Sequence, residues 1–565
     1  MMGYSKWIFA AICLCLCLPL QAADTLKVDG SRVLSNTSRH PIGIDLNYLR
    51  DDNHNRPAAR PLQQALKEMG VKYLRYPGGE KSDYYQWSKP PYTAPDPQVF
   101  PRSDLDYRQF AAGHDLLDFD EFIAYAREVG AEPYVVVGAS PFEGYAPAGP
   151  LSRQQYLESA VAWVRYANVV KKYGVKYWEI GNENWLHPIG DGAWIAGLAT
   201  EFSRAMKAVD PSILICVSGA DNRLFLEKAA KEVDRLTVSN YNGHTWEGFQ
   251  ADDHYDLIGW GWGAGNAIGT YAPASEKSRL KVVLAEMNST DIQGAWTMVN
   301  NTGHALALLD MYGQMLLDDK IDFGMFWNTR WMSDKGVDLW YALDSANQLL
   351  PTGRAIAIWG QFLMDEMVSA DRLNRIAAYA TRDSAQSELN IILINKDAVP
   401  RSFALDLNSR DYATADVFQF TSTGQDDENP IWAKTQTLSV NGNLLDISMP
   451  AVSAMVIALK ARITAVRETA PTKGISFTGL SGIGESRIRI SYQTGAALEE
   501  VRLDIYDAGG KRLRTAREQR VPAGTRTLWV DRNGGSEGRL TQGRYLMRLR
   551  SGSFTATRVI ILGPD

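Results

Sequence analysis

The sequence predicts an α/β protein: a (β/α)8 barrel followed by an antiparallel β-sandwich and a second, C-terminal all-β module. Between residue 41 and about residue 365, eight short apolar runs alternate with amphipathic stretches of helical length. Beyond Met367 the helical period stops, and apolar and polar residues alternate between turns rich in Gly, Asn and Asp. The chain has 565 residues, which is too long for one ordinary domain.

The first 22 residues predict an export signal. Lys6 supplies a positive charge, an apolar run follows at residues 7–20, and small residues come directly after it. The run is too short to span a bilayer, and no later run is long and apolar enough to do so. Cleavage is expected after Ala22 or Ala23, and the mature protein is expected in the periplasm, at the cell surface or outside the cell.

The barrel is predicted to occupy residues 23–367. Its strand candidates are Pro41–Leu49, Tyr73–Gly79, Pro133–Gly138, Tyr177–Glu183, Ile213–Gly219, Leu236–Asn242, Lys281–Asn288 and Asp322–Trp331. The amphipathic stretches that predict helices are Pro61–Met69, Phe119–Val129, Gln154–Tyr173, Trp194–Val209, Leu224–Val233, His304–Leu317 and Ile356–Met367. Eight strands that alternate with helices over this length are typical of a closed parallel barrel.

Two all-β regions are predicted after the barrel. The β-sandwich is placed at residues 368–462, and residues 26–34 are expected to add a strand to it. Its other strands are expected at Arg375–Ala380, Leu389–Ile394, Ser402–Leu407, Thr414–Phe420, Gln436–Val440 and Val452–Leu459. A polar linker at residues 463–474 leads to the C-terminal module at residues 475–565. There the expected strands are Arg487–Tyr492, Glu500–Asp507, Arg526–Val530, Gly543–Arg550 and Thr557–Leu562.

The composition argues against several classes of function. The formal net charge is −6 and no block of Lys and Arg occurs, so no nucleic-acid partner is expected. Cys216 is the one cysteine beyond the signal, and a core position is expected for it. The 7 histidines lack the paired spacing of metal ligands, and neither a Gly-x-Ser-x-Gly elbow nor a phosphate loop occurs. We therefore expect no metal and no cofactor. The 16 Trp and 25 Tyr suit the flat faces of sugar rings.

Two glutamates at strand ends carry the predicted chemistry. Glu183 ends the fourth predicted strand and Glu286 ends the seventh, so the two side chains are expected to meet over the barrel mouth. A retaining glycosidase uses two carboxyl groups about 5 Å apart, one as nucleophile and one as acid/base. We assign Glu286 as the nucleophile and Glu183 as the acid/base, because burial beside a like charge favours its proton. For either residue alone, the alternative is a solvated or ion-paired strand end.

Other residues near the predicted mouth are candidates for sugar binding. Asn182 can bond a sugar hydroxyl, with a turn-forming role as the alternative. Trp327 and Trp331 end the eighth strand, where an indole can lie under a sugar ring; core packing is the alternative for Trp327. Trp185 and Trp246 are expected in mouth-side loops that build outer subsites. Residues 259–263, with two tryptophans between glycines, are expected to form a loop over the same cleft or to pack on themselves.

The motifs of this chain also support a family resemblance. The acid/base strand is Trp178–Glu183 and the nucleophile strand contains Leu284–Asn288. The remaining motifs are Arg75–Gly79 with Tyr85–Trp87, Gly130–Tyr134, Ala208–Ser212 and the sandwich at Arg375–Lys460. Over about residues 26–460 the chain resembles the clan A glycoside hydrolases and, within them, the α-L-arabinofuranosidases of glycoside hydrolase family 51. The resemblance implies a barrel with a small β-sandwich and a retaining mechanism.

The resemblance also implies roles for three more residues. Arg75 is similar to the arginine with which the clan supports its nucleophile, and there it would keep Glu286 ionised; an ordinary ion pair is the alternative. Tyr241 and His244 close the sixth predicted strand, where the clan places an aromatic residue or a histidine near the nucleophile. For both, a hydrogen-bonded core position is the alternative.

Some positions depart from the family pattern. Ala285 and Met287 flank Glu286, where the family has an acidic residue and Trp. Residues 138–140 lack the Asn that the family usually has after its third strand, and the loop at residues 184–187 also differs. These departures leave the sugar open and keep relatives of β-xylosidases, heparanases and agar-cleaving enzymes under consideration.

The sequence therefore predicts a secreted retaining glycoside hydrolase that cleaves plant or algal polysaccharide by double displacement. Its partner is expected to be a polysaccharide or oligosaccharide, and α-L-arabinofuranosidase is the first specific activity. The alternative within enzymes is an endo- or exo-hydrolase of another matrix glycan, of the agar, xylan or β-glucan type. The alternative of another class is a glycan-binding protein without turnover.

Overall fold

The protein is described here from a computed structural model that covers most of the chain. It describes residues 24–101, 106–139, 151–186, 191–218, 223–241, 245–290, 296–331, 339–408, 412–461, 475–481, 487–507, 510–532, 540, 543–552 and 554–562. The predicted signal, the predicted linker and His244 lie outside the described residues. The chain divides into two compact units, Met1–Arg462 and Ile463–Asp565. Among the described residues, we find no helix with the length and apolarity needed to cross a membrane.

Eight parallel strands of the first unit close into a barrel, as predicted. The chain begins with strand β1 (Thr25–Asn36), which lies outside the barrel. The first barrel strands are β2 (Ile42–Asp45) and β3 (Tyr73–Tyr76), followed by a short antiparallel pair, β4 (Tyr85–Gln86) and β5 (Gln98–Val99). The other six barrel strands are β6 (Glu132–Val137), β7 (Tyr177–Ile180), β8 (Leu214–Ser218), β9 (Arg235–Tyr241), β10 (Lys281–Asn288) and β11 (Ile321–Phe326).

Ten α-helices accompany these strands in the described part of the chain. They are α1 (Leu62–Met69), α2 (Tyr107–Ala111), α3 (Phe119–Val129), α4 (Arg153–Val164), α5 (Gly192–Lys207), α6 (Arg223–Ala229), α7 (Trp246–Ala251), α8 (Gly259–Tyr271), α9 (Thr302–Leu316) and α10 (Pro351–Phe362). A π-helical segment, Arg165–Val170, continues α4. The predicted bounds of α3 agree with the structure because both ends are capped: Asp118 and Glu121 form a capping box, and Gly130 takes a left-handed conformation.

Two of the expected elements are corrected by the structure. Residues 259–263 are not a loop, because they begin α8. Glycine is tolerated there because the helix approaches the barrel closely: a Cβ at Gly261 would lie 2.8 Å from a methyl group of Leu284. The last predicted helix, Ile356–Met367, lies about five residues too far along the chain, since α10 spans Pro351–Phe362 and Met367 lies in the first strand of the following region.

The barrel interior is filled by side chains that point inward from alternate strand positions. Cys216 is among them and is fully buried, which confirms its predicted core position. The buried members of this inner layer are Tyr73, Tyr134, Val136, Tyr177, Cys216, Val283, Ala285, Phe323 and Met325. The barrel is therefore a packed core, and its chemistry is confined to the strand ends.

The second part of the first unit is an all-β region. Its strands are β12 (Glu366–Ala370), β13 (Ile376–Arg382), β14 (Glu388–Asn395), β15 (Arg401–Asp406), β16 (Tyr412–Thr421), β17 (Ile431–Ser439), β18 (Leu444–Met449) and β19 (Ser453–Ala461). Strand β1 joins them, antiparallel to β12 and parallel to β15. Residues from β1, β13 and β15, such as Val28, Ile376 and Phe403, share one hydrophobic core, so the strands pack as a sandwich.

The second unit is also built from strands. They are β20 (Ile475–Ser481), β21 (Arg487–Thr494), β22 (Leu498–Tyr506), β23 (Arg512–Val521), β24 (Gly524–Asp531), β25 (Gly543–Ser551) and β26 (Phe554–Leu562). They form a sheet β20-β21-β24 and a sheet β23-β22-β25-β26. Ile490, Leu503 and Met547, from both sheets, lie in one buried core.

Candidate active site

Glu286 reaches the barrel mouth through an irregularity in strand β10. Val283 and Ala285 point into the barrel, so strict alternation would direct Met287 inward and Glu286 outward. The pairing with β9 instead shifts register between Leu284 and Glu286, which leaves Ala285 as an extra residue. Met287 consequently packs in the outer core, and the carboxylate of Glu286 turns inward. Bulges that re-aim a side chain in this way are common beside active sites.

The carboxylate of Glu286 is held by two donors. Arg75 Nη1 donates to its Oε1 at 2.9 Å, and the Tyr241 hydroxyl donates to its Oε2 at 2.8 Å. The glutamate is only 5% exposed. Arg75 and Tyr241, two of the three residues that the resemblance suggested for the site, therefore contact it. The two donors fix the orientation of the carboxylate, as a nucleophile requires.

Glu183 lies just beyond strand β7, in a turn that orients its side chain. Gly181 and Glu183 both take left-handed conformations, with φ values of 66° and 43°. Burial and the charge of Glu286 raise the pKa of Glu183 to about 7, although a hydrogen bond to Ser239 acts in the opposite sense. Ser239 is also the cross-strand partner of Glu286. The two glutamates therefore meet at the same position of the mouth.

Arg75 links the ends of four barrel strands. Besides Glu286, its guanidinium donates to Asp45 Oδ1 at 2.9 Å, to Glu179 Oε2 at 2.9 Å and to Asn182 Oδ1 at 2.7 Å. All of these side chains are almost completely buried. A guanidinium has five N–H donors in a planar fork, so it can bond three carboxylates at once. A lysine ammonium has one nitrogen and cannot reproduce this set of contacts. The alternative of an ordinary surface ion pair is therefore wrong for Arg75.

Asn182 lies between Arg75 and Asp83. Its Oδ1 accepts from Arg75, and its backbone N–H donates to Asp83 Oδ1 at 3.3 Å. The Nδ2 group has no protein hydrogen bond among the described residues, so it keeps the donor that a sugar hydroxyl would need. Asp83 itself is buried, which raises the pKa of its carboxyl well above its ordinary value.

The predicted tryptophans differ in their surroundings. Trp327 and Trp331 contact each other, with ring centroids 5.4 Å apart, and Trp327 is mostly buried. A Cβ at Gly79 would lie 2.0 Å from Trp327 Cη2 and 2.8 Å from Glu286 Oε1, so this glycine allows the indole to approach the glutamate. Trp185 is 50% exposed, as expected for an outer position. Trp246 begins α7 and is mostly buried, so it does not lie in an open loop.

Several residues of this cluster are not among those that the sequence patterns predict. Asp45 ends strand β2 inside an apolar run, so the rule applied to the two glutamates could have found it. Glu179 lies in β7, four residues before Glu183, and points into the barrel. Its carboxylate accepts a hydrogen bond from Thr237 Oγ1 at 2.9 Å. Lys81 lies in a short 3-10 helix after Gly79, and no periodic pattern in the sequence predicts that its side chain is buried there.

One cluster in the described residues has side chains of metal-ligand type. It consists of Asp52, His54 and Glu121. Asp52 Oδ1 accepts from the backbone N–H of His54 at 2.7 Å, and Glu121 Oε2 accepts from the backbone N–H of Asp118 at 2.9 Å. Because these atoms already cap local helices, we assign no metal role to the cluster.

Comparison with known proteins adds a family signal for the middle of the barrel. Residues 65–257 match the family model described as the α-L-arabinofuranosidase 1 domain. Over this segment the chain resembles the α-L-arabinofuranosidases. The matched range includes Arg75, Asn182, Glu183 and Tyr241, but it ends before Glu286, so the place of Glu286 rests on the geometry above.

Similar curated proteins cover only part of the chain. A probable α-L-arabinofuranosidase C of Aspergillus fumigatus is 28% identical over 199 residues, which is 31% of this chain and 34% of the relative. An intracellular exo-α-(1→5)-L-arabinofuranosidase 1 of Bacillus subtilis is 27% identical over 207 residues, 33% of this chain and 39% of the relative. The aligned region thus spans about a third of the length of these relatives.

Similar solved structures extend the likeness of the fold. The arabinose complex of an α-L-arabinofuranosidase from Thermotoga maritima has a TM-score of 0.60 at 18% identity and covers 77% of this chain and 99% of its own. A family 44 xyloglucanase from Paenibacillus polymyxa has a TM-score of 0.53 at 14% identity, with 78% and 100% covered. At these identities the comparison shows the barrel-plus-sandwich fold.

Proposed function

We propose that this protein is a retaining glycoside hydrolase, with Glu286 as the nucleophile and Glu183 as the acid/base. The observation that carries the proposal is that the two glutamates have different surroundings. Glu286 receives donors on both oxygens, whereas burial beside Glu286 raises the pKa of Glu183 to about 7. Double displacement requires one carboxylate placed to attack and a neighbouring carboxyl group that holds a proton.

In the first step, Glu286 attacks the anomeric carbon while Glu183 gives its proton to the departing glycosidic oxygen. Arg75 and Tyr241 hold the attacking carboxylate in place, and Asn182 offers its amide N–H to a hydroxyl of the same sugar. In the second step, Glu183, now ionised, takes a proton from water, and the water attacks the glycosyl–Glu286 ester. The product keeps the anomeric configuration of the substrate.

The first substrate class that we propose is the α-L-arabinofuranosides. The matches of residues 65–257 support this choice, since the printed names of those relatives are arabinofuranosidases. The departures at Ala285 and Met287 favour keeping a second candidate, an endo- or exo-hydrolase of an agar, xylan or β-glucan type polysaccharide. Trp185, half exposed, suits an outer subsite for such a polymer.

We also propose that the enzyme acts outside the cytoplasm. The support is the signal-like character of the first 22 residues: a lysine, an apolar run and small residues after it. Export would bring the enzyme to polysaccharides that cannot enter the cell. Amino-terminal sequencing of the secreted protein tests this, and a mature chain that still begins at Met1 would contradict it.

The decisive experiment compares the parent with Glu286→Gln and Glu286→Ala on 4-nitrophenyl α-L-arabinofuranoside and a panel of aryl glycosides. Both variants should lose at least about 1,000-fold in kcat, because neither an amide nor a methyl side chain can form the glycosyl ester. The Gln variant keeps the shape of the side chain, so it separates loss of chemistry from loss of folding. Glu247→Ala, an exposed glutamate on α7, is the control and should retain parent activity.

Three outcomes separate the candidates. Glu286→Gln that hydrolyses as fast as the parent would show that the nucleophile is wrongly assigned. A parent that binds oligosaccharides but cleaves none of the panel would indicate a glycan-binding protein. Proton NMR of the first product should show retained anomeric configuration, and inversion would exclude double displacement.

A further inference from the structure

Lys81 is a buried ammonium beside the candidate active site that no step above uses. The residue is fully buried, and its Nζ has no hydrogen-bond partner among the described residues. An ammonium carries three donors and is strongly hydrated in water, so burying it unpaired is unfavourable. Burial lowers the pKa of Lys81 to about 7, and the charge of Glu286 is the largest influence that opposes this decrease.

The position of Lys81 is set by the tryptophans and glycines of the mouth. Nζ lies 4.6 Å from the ring centroid of Trp327 and 3.9 Å from that of Trp331. Trp327 in turn packs against Gly79, at the point where a Cβ would reach Glu286 Oε1. Cation–π contacts hold the ammonium over the two indoles but satisfy none of its three N–H donors.

Asp45 has a carboxyl oxygen that lacks a hydrogen-bond partner, just as Lys81 lacks acceptors for its N–H donors. Its Oδ1 accepts from Arg75 at 2.9 Å, but its Oδ2 is buried without a hydrogen-bond partner. Asp45 and Lys81 are close enough to interact electrostatically, since the charge of Asp45 raises the pKa of Lys81. Burial also raises the pKa of Asp45 well above its ordinary value. In its ionised form Oδ2 needs a donor, and in its protonated form the O–H needs an acceptor.

We propose that Lys81 and Asp45 bind hydroxyl groups of the sugar whose anomeric carbon faces Glu286, and that they select a neutral glycone with those hydroxyls unsubstituted. A hydroxyl group both donates and accepts, so it can satisfy Lys81 and either protonation form of Asp45. This inference rests on the proposed glycoside hydrolase function and assigns two residues that select its substrate.

The charges of the site favour a neutral sugar over an acidic one. Among the described residues, Arg75 and Lys81 are the cations that face the carboxyl groups of Asp45, Glu179 and Glu286. The neighbouring Asp51 already pairs with Arg330. Positive charge therefore does not exceed negative charge there, and a carboxylate or sulfate on the glycone would meet Glu286 without a surplus cation.

The test combines enzyme variants with deoxy substrates. The parent, Lys81→Met and Asp45→Asn are compared on 4-nitrophenyl α-L-arabinofuranoside and on its 2-deoxy, 3-deoxy and 5-deoxy analogues. Lys81→Met keeps the apolar stem over the indoles, and Asp45→Asn keeps an oxygen for Arg75. The parent should lose about 10- to 100-fold in kcat/KM on at least one deoxy analogue, the value expected for a hydrogen bond to a charged group.

On the analogue that lacks the hydroxyl bound by Lys81 or by Asp45, the variant of that residue should show less than about a threefold penalty, because its charged group no longer binds that hydroxyl. Lys396→Met is the matched control. Lys396 is also buried, lies 4.6 Å from a phenyl ring and has a pKa lowered by burial, but it bonds the backbone of Asp252. This control should keep the full deoxy penalty of the parent.

The outcomes distinguish the inference from the function on which it rests. Equal deoxy penalties in the parent and in Lys81→Met, together with a lower melting temperature of the variant, would show a structural role and overturn the inference. Faster cleavage of a 4-nitrophenyl glycuronide than of any neutral glycoside would also overturn it. A parent that cleaves no aryl glycoside would overturn the proposed function and this inference together.

Discussion

The raised pKa of Glu183 gives a quantitative prediction for Glu183→Gln. The folded protein holds this proton up to a pH of about 7, whereas the ordinary value is 4.5. Below pH 4.5 the Glu183 carboxyl is protonated in both the folded and the unfolded chain, so its raised pKa does not lower the free energy of unfolding. As pH rises to 7, the unfolded chain ionises first and the parent loses stability. Above pH 7 this loss reaches about 3 kcal/mol, since one pKa unit corresponds to about 1.4 kcal/mol.

Glutamine cannot ionise, so Glu183→Gln should escape this loss. The free energy of unfolding of the variant should exceed that of the parent by about 3 kcal/mol more at pH 8 than at pH 4.5. Urea unfolding at several pH values, followed by tryptophan fluorescence, measures this difference. In the same series, the parent's kcat/KM should fall as pH rises through about 7, and the residual activity of the variant should lack that limb.

Glu128→Gln is the control for this experiment. Glu128 is exposed and pairs with Lys67 at 3.0 Å on the surface, where an ion pair contributes little. Its stability difference from the parent should stay nearly constant between pH 4.5 and pH 8. A constant difference for Glu183→Gln over the same range would refute the reasoning, because the Glu183 carboxyl would then not be buried beside a like charge.

Two further substitutions test the support of Glu286. Arg75→Lys should lower stability by about 3–5 kcal/mol and kcat/KM by more than about 100-fold, because one ammonium cannot replace four guanidinium contacts to buried acceptors; parent-like urea unfolding of this variant would contradict the role of Arg75. Gly79→Ala should nearly abolish hydrolysis, because its Cβ would overlap Trp327 and crowd Glu286. Gly130→Ala, which also has a positive φ but open space around its Cβ, is the control and should retain hydrolysis with only about 1 kcal/mol of lost stability.

The barrel and the places of its two glutamates could be predicted because they depend on local patterns. Apolar runs at strand length and helices between them define eight βα units, and a carboxylate after the fourth and seventh runs is visible in the sequence. The helix at Phe119–Val129 was predicted to the residue because its caps are local. The glycine-rich start of α8 was predicted wrongly, because the packing that requires Gly261 involves a distant strand.

The sequence alone therefore determined the order of elements and the choice of Glu183 and Glu286 as candidates, since periodicity and strand ends are properties of neighbouring residues. Only the tertiary structure decided which way Glu286 points, because the register shift in β10 arises from pairing with β9. It also decided that Arg75 serves Asp45, Glu179, Asn182 and Glu286 together. The buried position of Lys81 has the same origin. Burial and charge depend on residues far apart in the chain, and folding alone brings those residues together.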